Sequence, residues 1–140
     1  MCIRDRVPAL KNLGNAEGLS FDIIRAIRTS PRSETEALDL SSVTAEAQKW
    51  VDAGVDALLI DAAIPEQYGG TGKQVDWQGF SKIEISVPVL LAGGLTPENV
   101  AEAISVASPS GVDVASGVEH APGKKDRDKT FAFIDAAGGV

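Results

Sequence analysis

The chain has 140 residues, 44% hydrophobic and 24% charged, with one cysteine, one histidine and a formal charge of −7. That mix supports one globular domain with a core; it excludes an internal disulfide, makes a zinc site on His120 a poor reading, and offers no run near the ~18 apolar residues of a membrane span. The acidic balance argues against nucleic acid as a partner, since phosphates would be repelled, and the length falls short of a complete large α/β barrel, which takes about 250 residues.

In chain order, Met1–Arg6 (MCIRDR) is too short and too charged for a signal peptide and starts no periodic pattern. It resembles translated sequencing-adapter sequence and is read as a non-native leader, with no base placed to activate Cys2. Residues 7–20 carry Val7, Leu10 and Leu13 without a strand signal and read as the tail of a helix. Phe21–Ile27 is an apolar run, followed by a polar loop, Arg28–Leu40. Ser42 is placed to cap a helix whose Val43, Ala47, Trp50 and Val51 share one face, with Gly54 at its C′ position. Val55–Asp61 then reads as a strand buried on both faces.

The pattern repeats. A Gly-rich loop, Tyr68–Lys73, precedes a short helical stretch, Asp76–Lys82, and Val87–Ala92 reads as the next buried strand. Gly93 and Gly94 turn the chain; Thr96 caps a helix with Pro97 at its first position and Val100, Ala103, Ile104 and Ala107 on its apolar face. Val112–Ala115 is the last strand, Ser116 and Gly117 turn again, and Asp126–Ala136 is a closing helix with Phe131 and Ile134 directed inward.

Four strands, each followed by a helix, imply a parallel sheet with helices outside. A small doubly wound sheet and part of a (β/α)8 barrel both fit; no G-x-G-x-x-G follows the first strand, which weakens a dinucleotide site. Ligands in such folds bind at the carboxyl ends of strands. There lie Asp61, whose carboxylate suits general acid or base work, the Tyr68–Lys73 glycines, and Gly93, Gly94, Ser116 and Gly117, suited to holding phosphate through backbone groups. Asp113, read as part of the last strand, suits a site wall better than a core, where an unpaired charge is costly.

The segments LLIDAA (58–63), YGGTGKQVDW (68–77), LLAGGLTPENVAEAI (90–104) and GVDVASGVEHAPGKKD (111–126), in this order, resemble the phosphoribosylanthranilate isomerase family of tryptophan biosynthesis. The resemblance implies a cytoplasmic α/β enzyme that performs an Amadori rearrangement of a phosphoribosyl substrate without metal or cofactor. It implies that Asp61 is the general acid, that Gly93, Gly94, Ser116 and Gly117 hold the phosphate, and that Asp113 contacts substrate. Gln74, Val75 and Ala115 depart from the commonest pattern, and Ala115 removes a hydroxyl near the phosphate.

The family's strand-1 cysteine base, in a KICG motif, and its strand-2 arginine have no counterpart, so residues 7–140 read as the C-terminal half, strands 5–8, of the barrel. Such a half is expected to be inactive alone and to self-associate through exposed sheet edges. A non-catalytic phosphate-binding half-barrel or oligomerising module, and another phosphate-binding barrel such as an epimerase or thiamin-phosphate synthase, are the rival readings.

Overall fold

The computed structural model describes residues 6–29, 39–62 and 77–138. Cys2, the Met1–Asp5 part of the leader, most of the polar loop, the Tyr68–Lys73 loop, Gln74, Val75 and Asp76 lie outside the described residues.

Helix α1 (Arg6–Ala16) leads into strand β1 (Ile24–Thr29), α2 (Leu40–Asp52), β2 (Ala57–Ala62), a single turn α3 (Trp77–Phe80), β3 (Val89–Ala92), α4 (Val100–Ala107) and β4 (Gly111–Val112). A 3₁₀ turn (Ser116–Val118), a small hairpin β5 (Glu119–Ala121) and β6 (Lys124–Lys125), and α5 (Arg127–Ala137) complete the order. The four larger strands form one parallel sheet in the order β1-β2-β3-β4, so the chain advances one strand at a time in one direction. This is the expected βα repeat; the hairpin β5–β6 was not foreseen.

The elements are set by local signals. Asp39 caps α2 by accepting from the Ser42 N–H, 3.2 Å, so the helix starts two residues before Ser42. Gly54, with φ +93°, follows the C-cap Ala53 as expected. The regular part of α4 begins only at Val100: Thr96 O accepts from both Asn99 N and Val100 N, making a tight turn before the helix where a cap at Thr96 was expected.

Alternation along the strands sorts residues onto two faces. Helix-facing Ile27, Leu58, Ile60 and Leu91 are buried. They join two apolar clusters, one with Val7, Ala47, Trp50 and Val55, the other with Val43, Trp77, Phe80, Val100, Ala103 and Phe133. Each fully buried leucine contributes about 1.5–3 kcal/mol. The opposite face differs from the sequence expectation of strands buried on both sides: Ala26 is exposed, Leu59 and Leu90 are half-buried, and Ile24 is 56% exposed. No helix covers this face among the described residues.

Two further expectations are corrected. On α5 it is Phe133 that enters the core, while Phe131 and Ile134 are 54% and 55% exposed. Asp113 lies just past the two-residue β4 and is exposed, so no burial cost bears on it. Among the described residues no helix is long and apolar enough to cross a membrane.

Candidate functional site

The site is built from the carboxyl ends of the strands and the loops that leave them. In the register, Arg28 lies beside Asp61 and Asp61 beside Ala92, on the face away from the helices. Leu91 pairs with Val112, and the next residue, Asp113, donates its N–H to Leu91 O at 2.9 Å. One row across the end of the sheet therefore carries Arg28, Asp61, Ala92 and, beside them, Asp113. Ile60 points to the core, so strict alternation turns Asp61 to the open side.

The Asp61 carboxylate is held in place from its neighbouring strand. Arg28 Nε–H donates to Asp61 Oδ2 at 3.3 Å, with Arg28 73% and Asp61 28% exposed at the side chain. Thr29, buried under the helices, donates its hydroxyl to Asp61 O at 3.1 Å and fixes the strand end. An exposed ion pair of this kind adds little stability; its effect here is orientation.

Two loops meet above Ala92. Gly93 and Gly94 have φ of +93° and +64°, which side chains with a Cβ resist. Asn99 pins the loop: its Nδ2 donates to Gly94 O at 3.0 Å and its Oδ1 accepts from Thr96 N at 2.8 Å. The Thr96 hydroxyl bonds the Glu98 carboxylate and holds that carboxyl below its usual pKa. From the other side comes the Ser116–Val118 turn, so close that a Cβ on Gly117 would lie 1.8 Å from Leu95 O. Glycine at 117 is thus required by a backbone-on-backbone contact between the two loops.

Lys125 supports this turn. Its ammonium donates to Ala115 O at 2.7 Å and to Glu119 Oε1 at 3.0 Å, while Gly123 N–H donates to Glu119 Oε2 at 3.0 Å. These donors, Lys125 first, hold the Glu119 carboxyl below its ordinary pKa. Lys129 Nζ adds a bond to Glu119 O at 3.0 Å.

All six sequence-selected residues, Asp61, Gly93, Gly94, Asp113, Ser116 and Gly117, fall at this one end of the sheet. Arg28, Asn99 and Lys125 were missed. Asn99 and Lys125 sat inside quoted motifs, in PEN and GKKD, and their polar side chains beside turn glycines were the available signal. Arg28 had none, because only the strand register brings it to Asp61. Chemically the arrangement offers a carboxyl group for proton transfer, a second carboxylate, a guanidinium, and a glycine-lined double loop suited to an anion.

The family model for N-(5'phosphoribosyl)anthranilate (PRA) isomerase matches residues 16–136. The chain belongs to this family. A curated relative from Nostoc punctiforme, an N-(5'-phosphoribosyl)anthranilate isomerase, is 44% identical over 119 residues, which are 85% of this chain and 52% of the relative. The solved N-(5'-phosphoribosyl)anthranilate isomerase from Pyrococcus furiosus superimposes with a TM-score of 0.66 at 27% identity, over 96% of this chain and 58% of that one. A solved phosphoribosyl anthranilate isomerase in complex with reduced 1-(o-carboxyphenylamino)-1-deoxyribulose 5-phosphate matches with a TM-score of 0.57 at 29% identity, over 95% of this chain and 56% of that one. The chain spans about half the length of the relatives it matches.

Proposed function

We propose that this chain serves the cytoplasmic isomerisation of N-(5-phosphoribosyl)anthranilate to 1-(2-carboxyphenylamino)-1-deoxyribulose 5-phosphate in tryptophan biosynthesis. Residues 7–140 supply strands 5–8 of the barrel. The observation that carries this reading is the row Arg28–Asp61–Ala92, with Asp113 beside it, lying under two touching glycine loops.

Asp61 gives its proton to the ribose ring oxygen as the C1–O bond breaks and the nitrogen lone pair moves in to form the C1–N double bond. A base then removes the proton from C2, and the enamine passes to the ketone form. Backbone groups of Gly93, Gly94, Ser116 and Gly117 hold the phosphate, so that the sugar is fixed at one end while Asp61 acts at the other. Asp113 accepts a hydrogen bond from a sugar hydroxyl. Ala115 offers no hydroxyl, which leaves backbone donors to carry the phosphate on that loop.

The base and the strand-2 arginine that the family uses have no matching motif in the 140 residues. In this reading the chain carries the acid and the phosphate clamp, and the first four strands carry the rest. The test is turnover of phosphoribosylanthranilate by the chain alone and by the chain joined in frame to the first half of the Nostoc punctiforme relative. No turnover alone and clear turnover when joined is the expected pair of results. A joined protein that folds cooperatively yet does not turn over would contradict the reading.

A further inference from the structure

The Ser116–Val118 turn is gripped at both ends by two consecutive residues that follow it. Lys125 Nζ donates to Ala115 O, just before the turn, at 2.7 Å, and the Asp126 N–H donates to Val118 O, at its end, at 2.7 Å. The middle is pressed from the other side, where Gly117 leaves no room for a Cβ beside Leu95 O. Lys125 is itself aimed. Its cross-strand neighbour is Glu119, whose Oε1 accepts from the ammonium at 3.0 Å while its Oε2 accepts from the Gly123 N–H at 3.0 Å. Glu119 is the more buried side chain, 17% exposed against 52% for Lys125, so the carboxylate is the fixed member and the lysine follows it. Among the described residues the N–H groups of Ser116 and Gly117 donate to no backbone carbonyl.

We propose that Lys125 is a positioning residue of the phosphate clamp: by fixing the Ala115 carbonyl it sets the direction in which the Ser116 N–H meets the substrate phosphate. The proposal rests on the phosphate-clamp reading above. The physical link is the peptide plane. Ala115 C=O and Ser116 N–H belong to one planar trans unit and point in opposite directions, so an ammonium that holds the one aims the other. Alanine at 115 has no polar side-chain atom with which to hold this peptide, so the restraint comes from another part of the fold. Charge-assisted bonds are the strong kind, and an ammonium shared between a carbonyl and a carboxylate fixes direction as well as distance. Lys125 stands on the carbonyl side of the peptide, away from the Ser116 N–H, and acts through the backbone without touching the phosphate. The hairpin β5–β6 is then the bracket that carries it: two short strands whose register sets Lys125 opposite Glu119.

Titration of the intact chain with inorganic phosphate, followed amide by amide in heteronuclear NMR, reads the outcome. In the native chain phosphate should shift the Ser116 and Gly117 amides. Lys125→Met and Glu119→Gln should each weaken phosphate binding about tenfold, the scale of one charge-assisted hydrogen bond, and should move the Ser116 amide before any phosphate is added. Lys125→Arg, which can still donate to both oxygens, should keep most of the affinity. Lys124→Met removes the same charge from the same hairpin and should leave affinity within about twofold. Glu119→Gln is the test of sign: a lysine that only attracted phosphate by its charge would bind it more tightly once a neighbouring negative charge is gone, whereas loss of aim weakens binding. The Leu58 and Leu91 amides should stay in place in every variant. Native affinity in Lys125→Met, tighter binding in Glu119→Gln, an equal loss in Lys124→Met, or displaced Leu58 and Leu91 amides in Lys125→Met would overturn the proposal. If Gly117→Ala weakens binding and Lys125→Met does not, the clamp stands and the role of Lys125 falls; if phosphate moves neither amide of the native chain, the clamp falls with it.

Discussion

The two faces of the one sheet are made from the same short strands, yet they behave as different materials. On the helix side, Ile27, Leu58, Ile60 and Leu91 are buried in two apolar clusters. On the other side, the rows run from Ile24 through Ala26, Leu59 and Leu90 to Arg28, Asp61 and Ala92, apolar at the base and charged at the carboxyl end. Covered residues hold the fold together; in the proposed function the other face, open except at the buried Ala92, carries the chemistry. Stability and function are therefore divided by the period-two alternation of the strand.

The largest expected effect lies on the covered side. Leu91→Ala should cost about 2–5 kcal/mol in urea unfolding, whereas Ile24→Ala, on the open face, should stay within about 0.5 kcal/mol. Equal losses would mean that the open face is covered after all. Gly117→Ala comes next: its methyl has no room against Leu95 O, so the loops must part at about 1–3 kcal/mol, and inorganic phosphate should bind more weakly. Unchanged phosphate affinity by calorimetry would remove the double loop from the site.

Arg25→Met tests the supporting layer. The Arg25 guanidinium stacks 4.1 Å from the Trp50 ring centroid, and its loss should cost about 0.5–1 kcal/mol. The smallest effect at neutral pH concerns the tie between α1 and the base of β2, where Lys11 Nζ donates to Asp56 Oδ1 at 2.6 Å and Ile23 N–H donates to Asp56 Oδ2 at 2.7 Å. Lys11 first, then the Ile23 N–H, lower the Asp56 pKa. A lowered folded-state pKa means that this stabilisation is complete above the ordinary value of about 3.9 and is lost as pH falls through the lower folded value. The protection of α1 amides relative to the unfolded chain should accordingly be flat from neutral pH down to mild acid and fall only below it, and Asp56→Asn should abolish that fall.

Much of this was legible from residue order. The strand–helix repeat, the Gly54 turn and the grouping of Asp61, Gly93, Gly94, Asp113, Ser116 and Gly117 at one end follow from apolar runs punctuated by glycine. What was not legible depends on phase or register. Phe131 and Ile134 share one face of α5 and Phe133 lies on another, and periodicity alone does not say which face meets the core. Arg28 and Asp61 are 33 positions apart and become neighbours only through strand pairing. Asn99 and Lys125 act on backbone carbonyls of loops whose conformation a propensity reading does not specify.

The central claim is that Asp61, on the uncovered face, is the proton donor to the ribose ring oxygen. Its most direct test is steady-state kinetics of the joined protein carrying Asp61→Asn, an isosteric change that keeps a partner for Arg28. The account predicts a fall in kcat of roughly 10²–10⁴-fold with KM little changed. A joined Asp61→Asn protein that turns over at the unsubstituted rate would contradict it.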